Sequence, residues 1–404
     1  MDFQFSEEEE LFREAMREFC QKNITPQAKE IDETAKIPPG LIKAMADQGL
    51  LGITISEQYG GQGANFIFAS IAGEEIARAD ISVATAVFFL VEASWAILIE
   101  KYGTAEAKEE ILPKVCRGEW VCGIATTEPG GGSDVAGTKV TARREGDDYV
   151  LNGEKAYISG VAESLIMGGG FLTNAYTDPV MGHKGQTFIF FPLKNEVENG
   201  RATTSIFEDM GRMGISTGAF AMKEARAPSY YGLEEGMGFY QAMEGYNNAR
   251  AIIGATCIGS AQTCLEMGLD YIKERKAFGQ PLAAFQGLQF QAAEAYADLE
   301  AARLIAYKAS WMLDRFYEGK ARMSDANKAV ALSKLRCPMT AFNVINSVMD
   351  WFGAYGYTKE AELERGLRGV RSYSIGAEGA TNVMRIIIAR EMLGKQFWDM
   401  VKRV

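Results

Sequence analysis

Three textures of hydrophobic and polar spacing succeed one another along the chain, and each predicts a different kind of structure. Up to about residue 121 the pattern is helical. SEEEELFREAMREFCQKNI opens with a serine at the N-cap position and an acidic first turn, and PPGLIKAMADQGLLG begins at a proline pair and stops at glycine. From about 122 to 232 short alternating runs take over. TKVTARREGDDYVLNGEKAYISG reads as a meander of strands with Asn152-Gly153 as a two-residue hairpin turn, and TFIFFPL reads as another strand. Beyond about 240 long helices return. Ala292, Ala295, Leu299, Ala302, Ala306, Ala309 and Leu313 recur at three- and four-residue steps, with Asp298, Glu300, Arg303 and Lys308 between them. That is the stripe of a bundle helix whose small residues allow close approach. The order is therefore a helical unit over 1–121, a mostly β unit over 122–232 and a second helical unit over 233–404.

Composition changes this picture little but excludes several chemistries. A chain of 404 residues exceeds what a single core usually serves, and 47% apolar residues supply material for more than one. The net charge of -11 argues against a nucleic-acid surface. Six scattered cysteines form no C-x-x-C pair, which predicts reduced, packed thiols. With His183 as the one histidine, neither a Ser-His-Asp triad nor a multi-histidine metal site is expected. The N-terminal MDFQFSEEEELFREAM is acidic and helical from the start, unlike an export or transit sequence, and no apolar run reaches the ~20 residues of a membrane span. These features predict a cytoplasmic protein.

Three stretches carry candidate chemistry. In IGAEGATNVMR, Glu378 sits in a collar of Gly376-Ala377 and Gly379-Ala380, where the chain pauses between two helices. In ATTEPGGGSD three glycines let backbone N–H groups approach a ligand, with Thr126, Thr127 and Ser133 adding hydroxyls. There is neither a G-K-[ST] ending nor a strand-borne G-x-G-x-x-G, so a nucleotide here would need another architecture. In ERKAFGQPLAAFQ, Arg275 near a helix end and beside an aromatic suits a phosphate. Each stretch taken alone also reads as a solvated loop.

Together, in this order, the chain resembles the acyl-CoA dehydrogenase family. The blocks that carry the resemblance are SEQYGGQG, EEIAR, TTEPGGGSD, LNGEKAYIS, ERKAFGQPLAAFQ, FGAYGY and AEGATNVMRIIIAR, spread over essentially the whole length. The resemblance implies an N-terminal helical domain, a β-barrel-like middle domain and a C-terminal four-helix bundle that hold FAD, usually in a homotetramer. It implies dehydrogenation of an acyl-CoA to the enoyl-CoA, with electrons passed to an electron-transfer flavoprotein. An acyl-CoA oxidase on this fold, or a scaffold that kept the fold without catalysis, would share the same blocks.

Residue by residue, the resemblance puts Thr126 and Thr127 against the flavin ring and Ser133 near CoA. Tyr157 and Ser159 stand where tryptophan and threonine are usual. Arg275 matches an arginine that reaches the FAD diphosphate of a neighbouring subunit, with Phe278 and Gln286 towards the adenosine; Gly353 and Gly356 match glycines beside that diphosphate. Arg250 matches an arginine near the CoA site. Glu378 falls where most members carry the catalytic base, and Gly379 beside it lets the Glu378 N–H approach the thioester oxygen. The usual tyrosine and threonine around this acid are Ala377 and Ala380 here, and the alternative position for the base is Ala249.

The acyl group is read from ISVATAVFFLVEASWAILIEKYGT. Phe88, Glu92 and Trp95 share one helical face. If that face points inwards, two rings block a long chain and Glu92 touches the far end of the acyl group; if not, Glu92 is solvated and the rings lie in the core. Ser94 offers no cation for a substrate carboxylate, which counts against glutaryl-CoA. The expected substrate is a short, branched or alicyclic acyl-CoA such as cyclohexanecarboxyl-CoA, with Glu92 as a second proton acceptor.

Overall fold

The computed structural model describes residues 4–394, 396 and 397. Helix α1 (Glu7–Asn23) begins where the sequence signal puts it: Ser6 Oγ accepts from Glu9 N at 3.2 Å, and the Glu9 carboxylate accepts from Ser6 N at 2.7 Å. Helices α2 (Ala28–Thr34), α3 (Pro39–Asp47), α4 (Phe66–Ala79), α5 (Ala84–Tyr102) and α6 (Ala105–Cys116) complete the first layer. Helix α5 is apolar all round and almost wholly buried, so it runs through the interior with no solvated side.

The chain then turns to strands: β1 (Val121–Ala125), β2 (Thr141–Glu145), β3 (Asp148–Ser159), β4 (Gly169–Tyr176), β5 (Gln186–Phe191), β6 (Ala202–Ile206) and β7 (Thr217–Pro228). They form one sheet in the order β1-β4-β2-β3-β7-β6, with β5 also on β4. Two short helices, α7 (Val161–Met167) and α8 (Leu193–Glu198), cover it. The expected hairpin at Asn152-Gly153 is displaced. The β2-β3 turn is Gly146-Asp147, and Asn152-Gly153 lies inside β3 opposite a bulge in β7, where Lys223 and Glu224 face Asn152. Asn152 uses its side chain to hold the bulge, accepting from Glu224 N at 2.9 Å. Gly153 is required there, because its φ is +128° and a Cβ would meet the Val140 backbone. Asn-Gly marks a left-handed kink, and a bulge uses that kink as readily as a turn.

The last part is helical: α9 (Gly238–Glu274), α10 (Gln286–Tyr317), α11 (Met323–Trp351), α12 (Leu363–Ile375) and α13 (Thr381–Leu393), with a small hairpin of β8 (Lys276–Ala277) and β9 (Gln280–Pro281) between α9 and α10. The alanine stripe of α10 is buried as its spacing predicts. Asp314 ties this layer to the first by accepting from Phe66 N at 2.7 Å and Ile67 N at 3.1 Å at the start of α4. One apolar core runs through both helical layers and one face of the sheet, and a second, smaller core fills the other face. No helix among the described residues is long and apolar enough to cross a membrane.

Candidate active site

A cavity of about 620 Å³ opens where the sheet, α5, α9 and α12 meet. Its wall includes Glu378, which lies between α12 and α13 with φ at +51°. A non-glycine residue in the left-handed region costs about 1 to 2 kcal/mol. The surroundings hold it there. Arg250 Nε donates to Glu378 O at 2.8 Å, Lys334 Nζ donates to Gly379 O at 3.2 Å and to Tyr373 O, and Gly379 N returns to Gly376 O at 2.9 Å. Gly379, at φ +112°, has room for no side chain, since a Cβ would meet Arg250 Nη2 and Met384 Cε at 3.0 Å each.

The Glu378 carboxylate has no hydrogen-bond or ion-pair partner among the described residues. Burial raises its pKa above the ordinary carboxylate value, while the charges of Lys334, Arg212 and Arg250 pull the other way. Arg250 is itself desolvated and brought down to about 10. Its guanidinium sits 5.1 Å from the centre of the Tyr246 ring.

Across the cavity from α12 are Thr126, Thr127 and Ser133. The Thr126 hydroxyl bonds the Tyr246 hydroxyl. The loop is pinned from below by a buried pair: Lys155 Nζ donates to Glu128 Oε1 at 2.9 Å, to Thr138 Oγ1 at 2.9 Å and to Thr126 O at 3.2 Å. Glu128 also accepts from Lys139 N at 2.8 Å and Val140 N at 3.0 Å. Thus each polar group of the pair is satisfied. At Gly130 and Gly131 a Cβ would meet nothing in the chain, so packing within the chain does not require glycine there. The open space is available to a ligand.

Tyr157 and Ser159 also line the cavity. The β3-β7 register shifts between Lys155 and Ile158, and Tyr157 takes a left-handed φ of +59°. Its ring is 67% exposed and stacks on Phe207 at 5.1 Å. The other residues expected to hold FAD lie elsewhere. Arg275, Phe278 and Gln286 are exposed around the β8-β9 hairpin, with the Phe278 ring 96% exposed. Gly353 and Gly356 begin the turn after α11; Gly353 is open, whereas Gly356 packs against Met349 O. None of these five lines the cavity. The two sets fit the two ends of a flavin dinucleotide, because one offers hydroxyls and a flat ring at a cavity and the other an arginine and an unsupported aromatic at the surface.

For the acyl end the structure separates the residues that the helical face grouped. Val91 and Trp95 line the cavity, and Phe88 and Glu92 do not. Glu92 is 1% exposed and therefore not solvated. Its Oε2 accepts from Cys122 N at 3.0 Å and its Oε1 has no partner among the described residues. Burial pushes its pKa up to about 8, so it is a neutral acid at pH 7. An α5 buried on every side has more than one inward face, so spacing alone does not say which of them meets the cavity.

Sequence reasoning missed Tyr246, Arg212, Arg371 and Lys334. The first three line the cavity, and Lys334 lies beneath the Glu378 loop. Lys334 alone had a legible signal, since it interrupts the apolar stripe Val330, Cys337, Ala341, Val344 of α11.

Family models for the acyl-CoA dehydrogenase N-terminal, middle and C-terminal domains match residues 6–119, 123–225 and 236–393. The mitochondrial isobutyryl-CoA dehydrogenase of Dictyostelium discoideum is 34% identical over 96% of this chain and 89% of its own length. A solved glutaryl-coenzyme A dehydrogenase in complex with glutaryl-CoA superposes with a TM-score of 0.89 at 31% identity, covering 97% of each chain. A chain from the structure of the electron transferring flavoprotein of Acidaminococcus fermentans superposes with a TM-score of 0.89 at 30% identity, covering 97% of this chain and 100% of that one. The fold and the full-length matches lead to one conclusion: the chain belongs to the acyl-CoA dehydrogenase family, FAD-dependent oxidoreductases that act on a CH–CH bond.

Proposed function

We propose that this chain oxidises a short, branched or alicyclic acyl-CoA, such as cyclohexanecarboxyl-CoA, to its α,β-enoyl-CoA, with Glu378 as the base. The observation that carries the reading is the Glu378 carboxylate, unpaired among the described residues, at the wall of a largely apolar cavity and with a raised pKa. An α-proton of a thioester is weakly acidic, and a base whose pKa lies nearer working pH removes it better. Arg250 holds the Glu378 carbonyl, which fixes the backbone that carries the base. The Glu378 N–H, freed by the left-handed turn and Gly379, would stabilise charge developing on the thioester oxygen. Ser133 and Arg250 would meet the CoA portion.

Bound FAD supplies the two-electron acceptor for the hydride that leaves Cβ. Thr126, Thr127, Tyr157 and Ser159 would hold its ring. Arg275, Phe278, Gln286, Gly353 and Gly356 would serve the diphosphate and adenosine of a neighbouring subunit in a homotetramer, which accounts for a phenylalanine left 96% exposed in the single chain. The electron acceptor proposed is an electron-transfer flavoprotein, in line with the structural match above.

The compact substrate is supported by Trp95, which is fully buried, stands edge-on to Tyr246 at 5.5 Å and fills the inner wall with Val91. Isobutyryl-CoA dehydrogenase as a relative points the same way. Glu92 is a buried acid with one unpartnered oxygen next to the wall residue Val91; a role as second proton acceptor requires it both to ionise and to turn towards the cavity.

Three outcomes are expected. Glu378→Gln should retain FAD and acyl-CoA binding but bleach the flavin ~100 to 10,000-fold more slowly; near-normal bleaching in stopped flow would assign the proton to another group. Arg275→Ala should lose FAD on gel filtration while its circular dichroism stays that of the parent, and full FAD retention would refute the shared site. Trp95→Ala should raise kcat/KM for octanoyl-CoA relative to isobutyryl-CoA by about 10-fold or more, whereas a parent enzyme that already prefers octanoyl-CoA would end the compact-substrate reading.

A further inference from the structure

Lys334 occupies a place in α11 that its neighbours reserve for apolar side chains. Val330, Ala331, Cys337 and Ala341 share its face and are buried, and Lys334 itself is 2% exposed. A buried ammonium is ordinarily matched by a carboxylate within ion-pair distance. None stands that close to Lys334 among the described residues. Its Nζ donates instead to two main-chain oxygens, Tyr373 O in the last turn of α12 and Gly379 O at 3.2 Å. Those two oxygens bracket the segment that carries Glu378. Of the carbonyls between them, Glu378 O is taken by Arg250.

We infer that Lys334 is a positioning residue for the base: its ammonium joins the end of α12 to the residue after Glu378 and places a positive charge beneath the Glu378 carboxylate. This rests on the reading of Glu378 as the base.

The charges around both groups are consistent with that arrangement. Lys334 is the largest of the charges that oppose the effect of burial on Glu378, ahead of Arg212 and Arg250, and the Tyr246 and Tyr373 hydroxyls also feel the carboxylate. In return Glu378 is the largest charge that supports protonation of Lys334, with Cys257 acting in the same sense and Arg250 against it. Burial nevertheless brings Lys334 down to about 8. The sign of the pH effect follows. Below about pH 8 the ammonium is present and keeps the proton affinity of Glu378 down. As pH rises past that value the charge is lost, and the two charge-assisted bonds to Tyr373 O and Gly379 O weaken to those of a neutral amine, which loosens the hold on the loop. The rate of proton removal should thus rise as Glu378 ionises and fall as Lys334 deprotonates.

Replacing Lys334 by methionine removes the charge at all pH values, and arginine keeps it at all of them. The test is the rate of anaerobic flavin bleaching by the parent holoenzyme, Lys334→Met, Lys334→Arg and Glu378→Gln between pH 5.5 and 10. The probe is whichever of butyryl-, isobutyryl- and cyclohexanecarboxyl-CoA the parent reduces fastest, and FAD content is measured alongside. The expected result is an acid limb moved up by about one pH unit or more in Lys334→Met, and an acid limb like the parent's with no fall near pH 8 in Lys334→Arg. If Lys334→Met is obtained only without FAD, the Lys334→Arg profile decides alone, and a fall near pH 8 in that variant overturns the inference. A Lys334→Met profile lowered equally at every pH, with its limbs unmoved, also overturns it and leaves the base intact. Bleaching by Glu378→Gln at the parent rate would overturn the base assignment, and the inference with it.

Discussion

The hydrogen bond from Arg250 Nε to the carbonyl of Glu378, 2.8 Å long, is the contact on which the site depends. Glu378 sits in a backbone conformation that its side chain disfavours, between two helices whose ends leave carbonyls and N–H groups to be satisfied. A free loop of this composition would sample many states, because Gly376 and Gly379 impose little restriction. Arg250 is buried on α9 and is fixed by the longest helix of the chain, so it converts a loose turn into a set geometry. The proposed base would act from a main chain that is clamped while its carboxylate has no partner among the described residues.

The opposite wall is built on the same principle. Lys155, buried under the Thr126-Thr127 loop, supplies its three donors to Glu128, Thr138 and Thr126 O. Thus the loop that would face the flavin is anchored through its carbonyl and its one buried acid, with the Thr126 hydroxyl on Tyr246 and the cavity-lining Thr127 and Ser133 hydroxyls unpartnered among the described residues. A buried cation is costly when it is alone. For Lys155 the cost is offset by the Glu128 carboxylate, the Thr138 hydroxyl and the Thr126 carbonyl, and the gain is position.

Much of the fold was legible because its signals are local. The Ser6 capping box, the alanine stripe of α10 and the short apolar run of β5 each depend on side chains a few residues apart, and each element formed where its pattern stands. Asn152-Gly153 shows where local reading ends: the dipeptide specifies a left-handed kink, and the kink lies inside β3 opposite a bulge, with Val140 close against it. The site divides in the same way. Thr126, Thr127, Ser133, Tyr157, Ser159, Arg250 and Glu378 surround one cavity, and the blocks quoted from the sequence contain most of them. Tyr246 and Arg212 lie in no recognisable spacing, because their place depends on which turn of α9 and which loop face the cavity. The orientation of Glu92 was not legible for a related reason, since α5 is buried on all sides and periodicity cannot choose among several inward faces.

The central claim is that Glu378 takes the α-proton, and acetyl-CoA tests it most directly because it has a Cα and no Cβ, which isolates proton removal from hydride loss. Incubated in D2O with the holoenzyme, the acetyl methyl hydrogens should exchange faster than in buffer, and the exchange should fall to the buffer rate in Glu378→Gln. Exchange at the same enhanced rate in both proteins would contradict the account.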